Sequence, residues 1–275
     1  MKIARVFPTK TSMSPTDRDA YFGEPELFMP DYDEIHISVA FTWDIKRAYW
    51  LKKQWEHIAP VKIGGVAING EPTNGLEAGM YLKEGITITS RGCPNRCPFC
   101  LVNRDLIELG DFPKGNIIQD NNLLACSNEH LYRVFNMLSH QSRINFSGGL
   151  ESWRITDKII ERLRGLKIYQ LWLSYDHPSN EKPLKRAVIK LQKYFKRDQI
   201  RCYVLMGFHG DTLEKAEYRL RKAWEIGTLP FSMRYRINKD SWNDSFLFRE
   251  REWNLLARKW TRPAIIKTRM KDNTL

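Results

Sequence analysis

Apolar and polar positions alternate along the chain with two periods, and together they predict strands and helices in turn. Lys2–Phe7 (KIARVF) reads as a short strand, followed by a Pro-, Ser-, Thr- and Asp-rich loop to Pro30. Glu34–Phe41 (EIHISVAF) is strongly β-prone. From Asp44 to His57 the spacing turns helical, with Ile45, Ala48 and Tyr49 at i, i+3 and i+4. Val61–Ile68 (VKIGGVAI) is a third apolar strand, and its Gly64-Gly65 pair suits a bulge or close backbone approach. This order predicts a small α/β lobe with a parallel component over residues 1–82, with a Gly/Asn/Pro loop at Asn69–Gly75 near its end.

From residue 83 to 275 the alternation is more regular. Ile86–Ser90 is a strand that ends at a cysteine cluster, and an extended loop follows. Ser127–Ser139 reads as a helix capped by Ser127, with Leu131, Val134, Phe135 and Leu138 on one face. The alternation continues with strand Arg143–Phe146, helix Thr156–Leu166 behind a Thr cap, and strand Ile168–Tyr175. Helix Lys185–Phe195, strand Ile200–Phe208 and helix Thr212–Ile226, stopped by Gly227, come next. Strand Phe231–Ile237 and a long helix Asp244–Trp260 complete the series. Consecutive βα units predict parallel strands joined by right-handed crossovers. Eight units close a full barrel in about 250 residues, so five units in roughly 180 fit an open or partial barrel.

Composition narrows the class. At 42% hydrophobic and 12% aromatic, the chain can bury a sizeable core, which excludes disordered and fibrous classes. No apolar run reaches the ~18 residues of a membrane span, and MKIARVFPTK lacks the long apolar stretch of a signal peptide. Five cysteines, odd in number and clustered, do not make a disulfide scaffold. A soluble, cytoplasmic protein with no membrane partner is the expectation. Residues 182–275 carry 23 Lys and Arg against 10 Asp and Glu, so the net charge of +12 arises there. Such a one-sided excess is the electrostatic footprint of a polyanion partner such as nucleic acid, or simply a set of solvated helix faces.

The most specific feature is Arg91-Gly92-Cys93-Pro94-Asn95-Arg96-Cys97-Pro98-Phe99-Cys100. Three thiols spaced C-x3-C-x2-C on a loop after a strand can converge on one inorganic centre. Iron–sulfur clusters are normally held by four thiolates, so three leave one iron open. Structural zinc prefers four ligands from paired knuckles. No second knuckle exists here, Cys126 and Cys202 stand alone in apolar sequence, and His130 or His140 would have to complete a zinc set. The alternative to an iron–sulfur enzyme is a zinc-knuckle nucleic-acid-binding protein without catalysis.

The C-x3-C-x2-C segment, with aromatic Phe99 before the last cysteine, resembles the radical S-adenosylmethionine (SAM) superfamily. The resemblance implies that Cys93, Cys97 and Cys100 hold a 4Fe–4S cluster whose fourth iron is chelated by SAM. It implies reductive cleavage of SAM to methionine and a 5′-deoxyadenosyl radical that abstracts hydrogen from a substrate. It also implies a low-potential electron donor such as flavodoxin or ferredoxin, and a partial (β/α)5–6 barrel, here preceded by the small α/β lobe. The barrel half is similar to radical SAM proteins that follow a cobalamin-type lobe. Residues 1–82 would then be a reduced relative of that lobe, but they lack Asp-x-His-x-x-Gly, so no cobalamin is expected. They also lack the three further cysteines of the tRNA methylthiotransferases.

The same resemblance implies a Gly-Gly-Glu stretch one βα unit later that binds the SAM amino group. Ser147-Gly148-Gly149-Leu150-Glu151 is the counterpart, departing from the pattern at Leu150. Phe99 and its loop flank the adenine in this reading. Ser174 and Asp176 end the third strand, where Asp176 suits a ribose hydroxyl or the SAM ammonium, or else caps the following turn. Arg234 and Arg236 share one face of the fifth strand, and an inward arginine there would meet the SAM carboxylate or a phosphate. In the basic third, Trp224, Tyr235, Trp242, Trp253 and Trp260 offer faces on which RNA bases stack, against the plainer reading of Trp253 and Trp260 as helix core.

Overall fold

In a computed structural model of the 275-residue chain, residues 1–68, 76, 79–100, 102–235 and 250–271 are described. They form two compact units, residues 1–84 and the residues from 85 onward. No helix among them is long and apolar enough to cross a membrane.

The first unit is a four-stranded parallel sheet. Its elements are β1 (Ile3–Val6), β2 (Ala20–Tyr21), β3 (Glu34–Ser38), α1 (Ile45–Trp55) and β4 (Val61–Gly64), and the strand order is β2-β1-β3-β4. Ala4, Val6, Ile35 and Ile37 alternate onto one face and pack with Ala48, Leu51 and Trp55 of α1. The strand expected over Val61–Ile68 stops at Gly64, because the chain turns at Gly65 and Ala67 bonds back to the Val39 carbonyl.

The second unit is built on a six-stranded, wholly parallel sheet. It begins with β5 (Gly85–Thr87), then a small antiparallel pair, β6 (Ser90–Arg91) and β7 (Ile107–Glu108). The chain continues through β8 (Gly115–Ile118), α2 (Asn128–Ser139), β9 (Ile144–Phe146), α3 (Asp157–Arg164) and β10 (Ile168–Ser174). After these come α4 (Glu181–Leu191), β11 (Ile200–Met206), α5 (Leu213–Ile226), β12 (Leu229–Arg234), α6 (Glu250–Lys259) and α7 (Pro263–Lys271). The sheet order is β12-β11-β10-β9-β8-β5. The α/β class with parallel strands is therefore as the periodicity predicted.

Local signals explain most of these elements. Ser127, Thr156 and Thr212 each accept a hydrogen bond from a backbone N–H three residues on, so all three helices start at their N-caps. On β11, Ile200, Cys202, Val204 and Met206 alternate into the core beside Val188 and Leu191 of α4 and Leu220 of α5. Arg201 and Tyr203 face the other way, where Tyr203 stacks on Trp172 at 4.2 Å and Arg201 covers the same indole at 4.6 Å.

Three differences from the periodicity have physical causes. The extended loop expected after the cysteines contains β8, whose four residues between Pro113 and Asp120 give too short a pattern to register. Strand β12 starts two residues before the expected Phe231 and includes Pro230, which a sheet edge tolerates because an edge N–H needs no ladder partner. α4 begins at Glu181, with Pro183 in its first turn, where a missing N–H costs nothing. The first part of the helix expected over Asp244–Trp260 lies outside the described residues, and the observed helix spans Glu250–Lys259. Trp253 and Trp260 are in the core, and Arg197 lies 4.2 Å over the Trp224 ring, so these rings are not a free stacking platform. Trp242 lies outside the described residues.

A buried ion pair locks the end of β11. Arg219 of α5 meets Asp211 at 2.9 Å with both side chains under 5% exposed; Asp211 accepts from the Gly207 N–H and Arg219 donates to the Leu205 carbonyl. Removing one partner of such a pair strands the other charge. Asp211→Asn is expected to cost about 3–5 kcal/mol in urea denaturation, whereas an exposed pair such as Lys222–Glu225, tested by Glu225→Gln, changes stability by under about 1 kcal/mol.

Candidate metal and cofactor site

In a parallel sheet every strand ends at the same edge, which is where α/β proteins gather ligand-binding groups. Here that edge collects the cysteine loop after β5, Gln119–Asn122 after β8, Ser147–Glu151 after β9, Asp176 after β10 and Phe208 after β11.

The cysteine loop is pinned at its start. Asp120, 1% exposed, accepts from the Thr89 N–H at 2.6 Å, from the Thr89 hydroxyl and from the Ser90 hydroxyl at 2.9 Å. Burial pushes its carboxyl above the ordinary range, and those donors from Thr89 and Ser90 oppose the shift. Gly92 then donates its N–H to Asn121 at 3.0 Å, and Cys93 donates its N–H to the Asn103 carbonyl. A side chain at Gly92 would strike the Asp105 carbonyl, its Cβ falling 1.8 Å from that oxygen at a φ of +81°. Between Cys93 and Phe99 half-buried and exposed residues alternate, with Pro94, Arg96 and Pro98 exposed. Cys97 and Cys100 are joined by a turn through the Cys100 N–H.

Glu151 pins the middle of the loop. Its carboxylate accepts from Asn95, which lies between two of the cysteines, from Asn122 at 2.9 Å, and from Arg154. Burial opposes ionisation of Glu151, but donors from Asn122, Trp153, Asn95 and Arg154 outweigh it and hold the carboxyl below the ordinary range. The buried Asn122 also donates to the Cys93 Sγ at 3.4 Å. The Cys97 thiol is pushed up by its own burial, by Cys100 and Cys93, and by Asp176, with Arg104 opposing. Cys97 is thus within electrostatic reach of both other cysteines and of the end of β10.

Each residue read from the sequence has a definite place. Ser147 accepts at its hydroxyl from Gln119 at 2.6 Å and at its carbonyl from Tyr203 at 3.0 Å. Gly148 packs against the end of β8, where a Cβ would lie 2.3 Å from the Asp120 carbonyl. Leu150, 3% exposed, is core, which explains the departure from Gly-Gly-Glu and turns Glu151 back onto the loop. Ser174 ends β10 opposite Tyr203. Asp176 accepts from the Leu205 N–H at 2.7 Å, and burial pushes its carboxyl up to about 6. The Phe99 ring lies 5.0 Å from that of Phe208.

Three expectations need correction. The Gly-Gly segment is two strands from β5 rather than one βα unit on, because β8 intervenes and the β5–β8 crossover carries the cysteine loop and β6–β7 instead of a helix. Glu151 is engaged by four donors of the chain and is not a free acceptor. Arg234, the last residue of β12, bonds Asn254 at 2.5 Å and pairs with Glu250 at 3.6 Å, so its guanidinium already has partners on α6. Arg236 lies outside the described residues. Asn95, Asp120, Asn122 and Phe208 carry no signature in the sequence, because their roles rest on contacts made across the sheet edge; the nearest signal is the polar run Gln119–Asn122 after Ile117-Ile118, which suits a strand end.

The donor set suits an iron–sulfur centre: three thiols on one loop, with an amide donor on one sulfur to offset thiolate charge. The fit is one of donor chemistry, since no three His, Cys, Asp or Glu side chains among the described residues are arranged to hold a metal ion. Cys126 and Cys202 are buried; the Cys126 thiol meets Ser90, and its burial pushes it up to about 11. His130 bonds Thr89 at 3.1 Å and His140 is exposed at the end of α2. No protein-family model matches the chain, and no curated protein matches it.

Two outcomes follow from this geometry. Gly92→Ala is expected to lower stability in urea by about 1–3 kcal/mol, whereas Gly110→Ala, with open space around it, leaves it within about 0.5 kcal/mol. Asp176 is protonated more readily in the folded state than in the unfolded one, so its contribution to stability is full below about pH 4 and is lost as pH rises through about 6. Asp176→Asn removes that decline, and thermal midpoints measured from pH 4 to pH 7 are expected to show a flatter profile than the wild type.

Proposed function

We propose that this chain is a radical SAM enzyme: its three-cysteine loop carries a 4Fe–4S cluster, and its six-stranded parallel sheet is the partial barrel of that superfamily. The observation that supports this best is the position of the loop. Cys93, Cys97 and Cys100 follow the first strand of the sheet, at the edge where Gly148, Asp176 and Phe208 also lie. When bound and reduced, such a cluster supplies one electron that cleaves SAM and yields a 5′-deoxyadenosyl radical.

The chain's own residues do the rest. Asp120 and Glu151 fix the loop at two points. Gly148 keeps the third strand end close to the second, and the Gly148-Gly149 carbonyls offer acceptors to an ammonium. Phe99 and Phe208 offer an apolar edge against which an adenine ring can pack. The reductant in this reading is a low-potential one-electron carrier of the flavodoxin or ferredoxin kind. The substrate class rests on charge alone, because Trp253 and Trp260 are core: a polyanion such as RNA is favoured by the basic carboxyl-terminal third.

The test is anaerobic reconstitution with iron and sulfide. Expected are a brown protein with about four irons per chain, visible absorbance bleached by dithionite, and 5′-deoxyadenosine formed from SAM under dithionite. Cys93→Ala, Cys97→Ala or Cys100→Ala should abolish both colour and product. A colourless protein that holds zinc, or a brown one that makes no 5′-deoxyadenosine, overturns the proposal.

A further inference from the structure

Asn122 stands out among the buried polar groups. It is 4% exposed, and its amide nitrogen lies 3.4 Å from the Cys93 sulfur and 2.9 Å from a Glu151 carboxylate oxygen. Its amide oxygen is enclosed and has no hydrogen-bond partner among the described residues. An enclosed, unsatisfied carbonyl costs about 1–3 kcal/mol, a cost that leucine, of similar size, would avoid. Glu151 does not need this residue in particular, since Asn95, Arg154 and Trp153 also donate to it. What Asn122 adds that no other residue in the network does is a donor on a cysteine sulfur.

We infer that Asn122 is a tuning residue for the metal centre: its amide N–H, donated to the Cys93 sulfur, withdraws electron density from that ligand and makes the bound centre easier to reduce. The inference rests on the iron–sulfur reading of the loop. Hydrogen bonds to ligand sulfurs are among the main determinants of cluster potential. Glu151 acts in the opposite sense, because a carboxylate close to the same ligand disfavours adding an electron. The two side chains thus form a matched pair, bonded to each other, whose members move the potential in opposite directions. Two amide hydrogens serve both partners at once, so the donor to sulfur stays in place while the carboxylate is ionised.

The experiment compares wild type, Asn122→Leu and Glu151→Gln, each anaerobically loaded and matched for iron content. Each is titrated potentiometrically with dithionite, and the reduced centre is followed by electron paramagnetic resonance. Asn122→Leu is expected to shift the midpoint to more negative values and Glu151→Gln to more positive ones. A residue that merely shaped the loop would change iron content or stability and leave the midpoint of the loaded fraction in place. An Asn122→Leu midpoint equal to wild type, or shifted positive, overturns the inference while leaving the iron–sulfur reading intact. If Asn122→Leu does not load, Asn122→Ala makes the same measurement with a smaller side chain, and failure of both to shift the midpoint or to load overturns the inference. A wild-type protein that takes up no iron–sulfur centre overturns both.

Discussion

Two carboxylates, Asp120 buried and Glu151 half-buried, hold the cysteine loop against the sheet, and the arrangement of the site depends on them. Asp120, just beyond β8, grips the loop where it leaves β5. Glu151, beyond β9, grips it between the first and second cysteines. Asp120 satisfies the buried donors of Thr89 and Ser90, which would otherwise be stranded away from water. The two differ in charge balance. Asp120 is answered only by neutral donors and resists ionisation, while Glu151 has a guanidinium among its partners and ionises readily. One clasp is thus answered by neutral donors and the other by a guanidinium as well, and the second shares Asn122 with the Cys93 sulfur.

The sheet makes this possible by bringing distant chain segments to one edge. Asn95 and Glu151 are 56 positions apart, and Asn122 and Cys93 are 29. Parallel strands with covering helices put those positions within one hydrogen bond of each other. The far side of the edge is set with equal firmness, since the Asp211–Arg219 pair fixes the turn after β11 that carries Phe208. Gly148, with no room for a Cβ, fixes the spacing between the second and third strand ends.

How much of this was legible in the sequence follows from the range of the forces involved. Helices α2, α3 and α5 were readable because caps and apolar stripes are local: Ser127 and Thr156 cap as their positions suggested, and Thr212 caps α5 where the helical spacing begins. β8 was not, since Gly115–Ile118 is too short for a period to register and is a strand only because β5 and β9 flank it. The three cysteines announced themselves by spacing. Their supports did not, because Asn122 is an ordinary loop residue until the fold sets it beside Cys93. Arg234 shows a different limit: alternation along a strand does not say what an arginine meets, and its partners Asn254 and Glu250 come from the packing of α6. Trp253 and Trp260 were legible for the same local reason as the caps: their i, i+7 spacing reads as one helix face, and both are core.

The exposed positions of the cysteine loop have a consequence of their own. The loop is anchored through backbone amides and through Asn95, while Pro94, Arg96 and Pro98 project away from those anchors. Natural variation at the outward trio can therefore remodel the loop's outer surface without moving the sulfurs, so that in the proposed enzyme recognition of a redox carrier and retention of the cluster can drift independently within one ten-residue stretch.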